Sequence, residues 1–143
     1  MELLDQLCRE MIAYDKGDPR RIHHFLKVHA FAEQIGREEG IPEKQLFVLE
    51  AAAYVHDIGI HRGEMEFGRN DGKIQEELGP GEARPILERL GFETEDTNYL
   101  VKIDVNVDGQ IEDDDDKEYY NDEIKGADEL ADRPDDESDE EDE

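Results

Sequence analysis

The spacing of apolar residues over positions 1–100 is the feature that most limits the fold. Near the start, apolar side chains recur at steps of three and four residues: Leu3, Leu4, Leu7, Cys8, Met11 and Ile12. This spacing places them on one stripe of an amphipathic helix. No stretch of the first hundred residues alternates with period two. We therefore predict an all-α fold in which helices pack through their apolar stripes.

Start and stop signals place the next helices. Asp18 followed by Pro19 predicts a helix start, because Asp caps a free backbone N–H and proline is tolerated in the first turn. This helix should run to about Arg37, and a third should run from near Pro42 to His56. The inner face of the second helix should carry His24, Val28, Phe31, Ala32 and Ile35.

The segment after His56 is richer in glycine and proline. We predict a loop there, followed by two short helices in 71–80 and 81–92, because a Gly-Pro pair separates them. A last helix should start near Thr94 and reach Val101 or Ile103.

The net charge of −26 is distributed unevenly. Residues 1–100 carry 21 acidic and 12 basic residues (net −9), and residues 101–143 carry 21 acidic and 4 basic (net −17). Such a chain repels nucleic acid polymers and anionic membrane surfaces, so we expect neither as a partner. No apolar run is long enough to span a bilayer and the N-terminus does not resemble a signal peptide, so we expect a cytoplasmic protein.

The acidic end is too poor in apolar residues to pack. We predict a helical domain over residues 1–132, which includes an acidic loop at 103–117, and a disordered acidic tail over 133–143.

Two histidines occupy apolar helix faces. A single such histidine is usually a core residue, but packing the second and third helices through their stripes would bring His24 and His56 into one interior. Asp57 follows His56 directly. Two neutral imidazole nitrogens and one carboxylate oxygen suit a divalent cation, and Mn, Fe, Ni, Co or Zn would fit.

Three segments, "RIHHFLKV", "AAAYVHDIGIH" and "KGADELAD", resemble the ligand-bearing segments of the HD-domain metal-dependent phosphohydrolases. The resemblance implies an HD-domain helical bundle. The resemblance implies that a second metal ion would bind through a histidine-rich turn after "NYLVKI". No histidine follows His61 in this sequence, so one metal ion is expected rather than two. The ligand set implied by the resemblance is His24, His56, Asp57 and Asp128. Asp122 or Asp132 could stand in place of Asp128 as the last ligand.

Such a cation lowers the pKa of a bound water and neutralises charge that develops in the transition state. The expected reaction is hydrolysis of a phosphate ester of a nucleotide or another small phosphorylated molecule by metal-activated water. His56 and Asp57 are the expected catalytic pair, as the resemblance implies. His61, Arg69 and Lys73 are either contacts for the substrate phosphate or part of a solvated, charged helix start.

A second pattern, "DVNVDGQIEDDD" at 104–115, resembles the calcium loop of EF-hands and dockerins. Gly109 stands where such a loop turns sharply. This pattern supports an alternative function, a catalytically impaired HD-fold binding module that responds to calcium. The candidate calcium ligands are Asp104, Asn106, Asp108, Gln110 and Asp115.

Overall fold

The computed structural model describes residues 1–68 and 72–105, together with Ala127, Leu130 and Ala131. Over the two continuous ranges the chain forms the helices α1 Leu3–Tyr14, α2 Pro19–Glu38, α3 Glu43–Val55, α4 Gly59–Phe67, α5 Gly72–Leu90 and α6 Thr94–Val105. All regular elements among these described residues are α-helices. The all-α prediction is therefore confirmed.

The first three helices begin and end close to their predicted positions. The Asp18 carboxylate accepts a hydrogen bond from the backbone N–H of Arg21 at 3.2 Å, and Pro19 opens α2. This pair satisfies one of the free N–H groups at the helix start without requiring a donor from proline. The third helix ends at Val55, with His56 as its C-cap residue.

The prediction for the following segment was wrong in two places. The segment predicted as a loop contains α4, and the two short helices are one continuous helix, α5, with Pro80 and Pro85 inside it. Each proline removes a backbone hydrogen bond, so local propensity disfavours this helix. Burial of Ile86 and Leu87 in the core provides the opposing contribution that local propensity does not contain.

The inner face of α2 also differs from the predicted one. Val28 and Ala32 are buried as expected, but Phe31 and Ile35 are only partly buried. Phe25 is 3% exposed and lies in the core, although it was absent from the predicted face. The helix is therefore rotated relative to the arrangement that its apolar residues alone suggested.

One hydrophobic core joins the helices, and Cys8 packs against it, partly buried. Ala127 and Ala131 belong to the same core, so this part of the acidic third of the chain packs against the helices. Among the described residues, no helix has both the length and the apolar character that crossing a bilayer requires. Side chains in the core that are less than 2% exposed include Leu7, Met11, Val28, Leu49, Leu87 and Leu100.

Helices α2 and α3 run antiparallel and lie close together. His24 contacts the HD pair, His56 and Asp57, at the end of α3. His29, further along α2, contacts Glu50, which precedes that pair in the chain. At the other end of this interface, a Cβ atom on Gly36 would lie 2.9 Å from side-chain atoms of both Leu46 and Leu49. The absence of a side chain at Gly36 therefore lets the two helices approach each other.

Candidate metal centre

Three candidate metal-ligating side chains converge where the first turns of α2 meet the end of α3. His24 Nε2 lies 3.2 Å from Asp57 Oδ2, and His56 Nε2 lies 3.1 Å from the same oxygen. The centroids of the two imidazole rings are 5.5 Å apart. The side chain of His56 is 7% exposed and that of Asp57 is 23% exposed, so the cluster is open to solvent on its carboxylate side.

The hydrogen bond of His56 to the backbone fixes its orientation. His56 Nδ1 lies 2.8 Å from the Ala53 carbonyl oxygen, one turn earlier in α3. A carbonyl oxygen can only accept, so Nδ1 carries the proton. Because Nδ1 is already protonated, the 3.1 Å contact of Nε2 with the Asp57 carboxylate needs a second proton on Nε2; when that proton leaves, Nε2 directs a lone pair at the site. Such an arrangement is characteristic of histidines that bind metals, in which a second hydrogen bond sets the tautomer and the ring direction.

The carboxylate of Asp57 is held ionised by its neighbours. Burial opposes ionisation, but the charge of His56 and hydrogen bonds from His24 and His56 hold the pKa of Asp57 well below its usual range. Arg21 adds a further cationic group, with Nη1 3.9 Å from Asp57 Oδ2. Asp57 is therefore ionised near neutral pH, and it can serve as an anionic ligand once a cation replaces the protons on the imidazole nitrogens.

The donor arrangement fits a divalent cation. The candidate ligand atoms of His24, His56 and Asp57 all lie within 4.8 Å of one another. Two ligands that each lie about 2.1 Å from one cation are separated by roughly 3.0 Å at right angles and roughly 3.4 Å at the tetrahedral angle. The two imidazole-to-carboxylate distances of 3.1 and 3.2 Å fall in this range. Without a cation, protons on the two Nε2 atoms make the contacts with Asp57 Oδ2. A cation that binds here would replace these protons.

Comparison with protein-family models supplies the decisive observation, a match of the HD domain over residues 21–103, which contain all three of these residues. The chain belongs to the HD-domain family. Members of this family are generally metal-dependent phosphohydrolases. Neither curated proteins nor solved structures give a match to this chain.

Arg21 of this HD domain was not among the predicted site residues. It lies three residues before His24, so the two side chains share one face of α2, one turn apart. The sequence contains that spacing, but only the packing of α2 against α3 shows that the guanidinium reaches Asp57. Arg20 and His23, which directly precede Arg21 and His24, are both exposed. Each is the same residue type as the site residue that follows it, so it can serve as a matched control.

Two of the three predicted substrate-contacting residues lie on helices. His61 belongs to α4 and Lys73 to α5, which corrects the predicted loop at His61, but their side chains lie outside the described part of the chain. Arg69 also lies outside the described residues. Their contact with a phosphate stays a prediction.

The fourth predicted metal ligand, Asp128, lies outside the described residues, as do its alternatives Asp122 and Asp132. The backbone of Asp104 belongs to the last turn of α6, and its side chain is not described. The remaining candidate calcium ligands, which also lie outside the described residues, are Asn106, Asp108, Gln110 and Asp115.

A polar network supports the turn that follows the HD pair. The Tyr14 hydroxyl lies 2.8 Å from Glu82 Oε2 and 3.3 Å from the carbonyl oxygen of Ile58, the residue after Asp57. Arg62 of α4 donates to the other Glu82 oxygen at 2.7 Å. Burial, together with the hydrogen bond to Glu82, raises the pKa of Tyr14, so the phenol stays protonated and able to donate. The network links α1, the HD turn, α4 and α5.

Proposed function

We propose that this chain is a metal-dependent phosphohydrolase that cleaves a phosphate ester of a nucleotide or another small phosphorylated molecule. The observation that carries the proposal is the convergence of two imidazole Nε2 atoms on one oxygen of Asp57, with the Arg21 guanidinium beside it. The HD-domain match over residues 21–103 supports the reaction class. The substrate class and the cytoplasmic location are part of the proposal.

His24, His56 and Asp57 would hold a divalent Mn, Fe, Ni, Co or Zn ion, and Asp128 is proposed as the fourth ligand. When bound, the cation supplies a water of lowered pKa and positive charge to offset the charge of the transition state. Ala127, which directly precedes Asp128, is buried in the core of the helical bundle. This burial supports the assignment of Asp128 as a ligand.

His56 and Asp57 have different proposed roles. His56 keeps its Nε2 directed at the site through the proton that Nδ1 donates to Ala53. Asp57, the most exposed of the three clustered side chains, would orient a water for attack on phosphorus, and its exposure to solvent supports this role.

Arg21 supplies a positive charge in a chain whose overall charge repels anions. Its side chain is 32% exposed and its guanidinium lies 3.9 Å from Asp57, so it can approach a substrate phosphate from the solvent side of the cluster. A planar guanidinium donates two parallel hydrogen bonds to a phosphate, which also sets the orientation of the substrate.

The proposal is tested by measuring phosphate release from a panel of nucleoside monophosphates and other phosphomonoesters, with Mn²⁺, Co²⁺, Ni²⁺, Fe²⁺ or Zn²⁺ added in turn. His56→Ala and Asp57→Asn should each lower kcat by at least about a hundredfold, since both remove a metal ligand and a catalytic group. His23→Ala, on the exposed side of α2, should leave kcat unchanged.

Arg21→Ala should raise KM by about tenfold or more, which corresponds to the loss of a charge-assisted hydrogen bond, whereas Arg20→Ala should not. Metal content should fall in Asp128→Asn but not in Asp122→Asn or Asp132→Asn. The proposal fails if the purified chain binds no transition metal and no member of the panel is hydrolysed with any of the five metals.

A further inference from the structure

A second cluster of metal-ligating side chains lies on the same pair of helices. His29 and Glu33 are four residues apart on α2, so they share one face, and Glu50 approaches them from α3. His29 Nε2 lies 2.9 Å from Glu50 Oε1. One candidate ligand atom from each of the three side chains lies within 4.8 Å of the other two. No local sequence pattern predicts this cluster.

This cluster is separate from the HD cluster, which consists of His24, His56 and Asp57. Five residues of helix between His24 and His29 correspond to about 7.5 Å along the axis of α2 and about 140° around it. Glu50 likewise precedes His56 by six residues in α3. No residue belongs to both clusters, so a change in one cluster leaves every ligand of the other in place.

The side chains of this cluster are held in place by their neighbours. The His29 ring stacks on Tyr54 with centroids 4.1 Å apart and planes inclined by 10°, and Tyr54 is 7% exposed. Both hydrogen bonds from Arg37 go to Glu33 Oε2, at 3.2 and 2.7 Å. Arg37 thus engages one oxygen of the Glu33 carboxylate, and the other oxygen lies outside this ion pair. Side chains already ordered in this way lose little conformational entropy when they bind a ligand.

We propose that His29, Glu33 and Glu50 form a second site for a divalent transition-metal ion, which links α2 to α3. One imidazole nitrogen and two carboxylate oxygens are a borderline set of ligands that suits Zn²⁺, Co²⁺, Ni²⁺ or Mn²⁺ better than Ca²⁺ or Mg²⁺. The ion replaces the proton between His29 Nε2 and Glu50 and draws in Glu33. Because its ligands come from two helices, the ion stabilises their association. This site does not depend on the proposed function.

The proposal is tested by titrating the chain with Co²⁺ and measuring the bound equivalents and the visible absorption of the complex. Excess Mg²⁺ is present throughout, because it occupies acidic surface groups and competes poorly for imidazole. Asp57→Asn, which removes the anionic ligand of the HD cluster, weakens binding there and provides the background in which the second site is measured. This variant should bind one Co²⁺ with an absorption band that reports an imidazole ligand.

Two variants then remove ligands from the second cluster in that background. His29→Phe keeps an aromatic ring to stack on Tyr54 but has no nitrogen, and Glu50→Gln keeps a hydrogen-bonding oxygen but loses the charge. Each should lose the bound equivalent of Co²⁺ and the rise in Tm that Co²⁺ gives to its parent, because a ligand that binds the native state stabilises it. His23→Phe, which removes an exposed imidazole from the same helix, should change neither.

If Asp57→Asn binds no Co²⁺, or if both cluster variants bind as much as their parent, the site does not exist, and the His29–Glu50 contact is a hydrogen bond alone. Circular dichroism identifies a variant that has failed to fold, and the other variant then decides. Phosphate release by the chain with an intact HD cluster is measured separately, so failure of this site and failure of the proposed function are distinguishable.

Discussion

Helices α2 and α3 are held together differently from helices α4 and α5. The first pair meets through apolar and small residues, with Leu49 fully buried against Gly36. The second pair is joined by a charged contact, Arg62 to Glu82, whose side chains are 45% and 19% exposed. The pair with the apolar interface carries both candidate metal clusters. We therefore expect the position of the ligands to depend more on the close packing of α2 against α3 than on the polar network beside the turn.

The largest effect should follow from Leu49→Ala, in the apolar interface. Leu49 is 0% exposed, so its truncation removes buried surface and leaves a cavity, at a cost of about 2–5 kcal/mol in the free energy of unfolding. Urea denaturation measures this cost. Met65→Ala on α4, where the side chain is 74% exposed, should change stability by no more than about 0.5 kcal/mol. Similar costs at the two positions would contradict the comparison.

This difference also explains how much could be predicted from the sequence. The cap at Asp18 and the apolar stripe of α1 are local signals, and both gave helix boundaries close to the observed ones. The signals within α5 are contradictory, because Pro80 and Pro85 oppose a helix that tertiary burial then stabilises. Local patterns contain no information on that burial, and the prediction was wrong there.

The candidate site divides in the same way. The meeting of His24 with the HD pair was predicted because these residues lie on or beside helix faces that must pack. Arg21 and the His29–Glu50 contact were missed, since they depend on the antiparallel register of α2 and α3 and on the rotation of α2. That rotation buries Phe25 in the core and leaves Phe31 only partly buried against it, and no local signal indicated this.

Two helical glycines offer a matched test of how closely each pair of helices packs. A Cβ atom at Gly36 would meet two leucine side chains at 2.9 Å, whereas a Cβ atom at Gly81 in α5 would meet nothing within 4 Å. Gly36→Ala should destabilise the chain by about 1–3 kcal/mol through overpacking. Gly81→Ala should stabilise it by about 0.5–1 kcal/mol, because alanine loses less conformational freedom in a helix. The Tm should therefore fall in Gly36→Ala and rise in Gly81→Ala. A rise in Tm for both variants would show that the interface between α2 and α3 can accommodate a Cβ atom at position 36.

A smaller effect is expected for Tyr14→Phe, which keeps the ring but removes the hydroxyl shared between Glu82 and the Ile58 carbonyl. The loss of this partly buried hydrogen bond should cost about 0.5–1.5 kcal/mol, since Glu82 retains its contact with Arg62. Chemical denaturation measures the cost. Metal affinity should change less than in Asp57→Asn, because Tyr14 contacts the turn rather than a ligand. A loss of bound metal equal to that of Asp57→Asn would show that the polar network positions the ligands after all.

The smallest effect should come from Glu10 on α1, whose carboxylate contacts Arg89 of α5 at 2.8 and 3.0 Å on the surface. The hydrogen bond from Arg89 lowers the pKa of Glu10, partial burial opposes the shift, and the charge of Arg89 adds to it. A carboxyl group whose pKa is lower in the folded chain adds stability above its unfolded pKa and loses it as the pH falls through the folded value. The stability difference between the unsubstituted chain and Glu10→Gln should therefore be small at neutral pH, decrease as the pH falls below the unfolded pKa of glutamate and vanish below the lower folded pKa, and it should shrink with added salt. Denaturant titrations of both chains across that pH range measure the difference. A larger effect than that of Tyr14→Phe would mean that surface charge, rather than the partly buried network, joins α5 to the rest of the molecule.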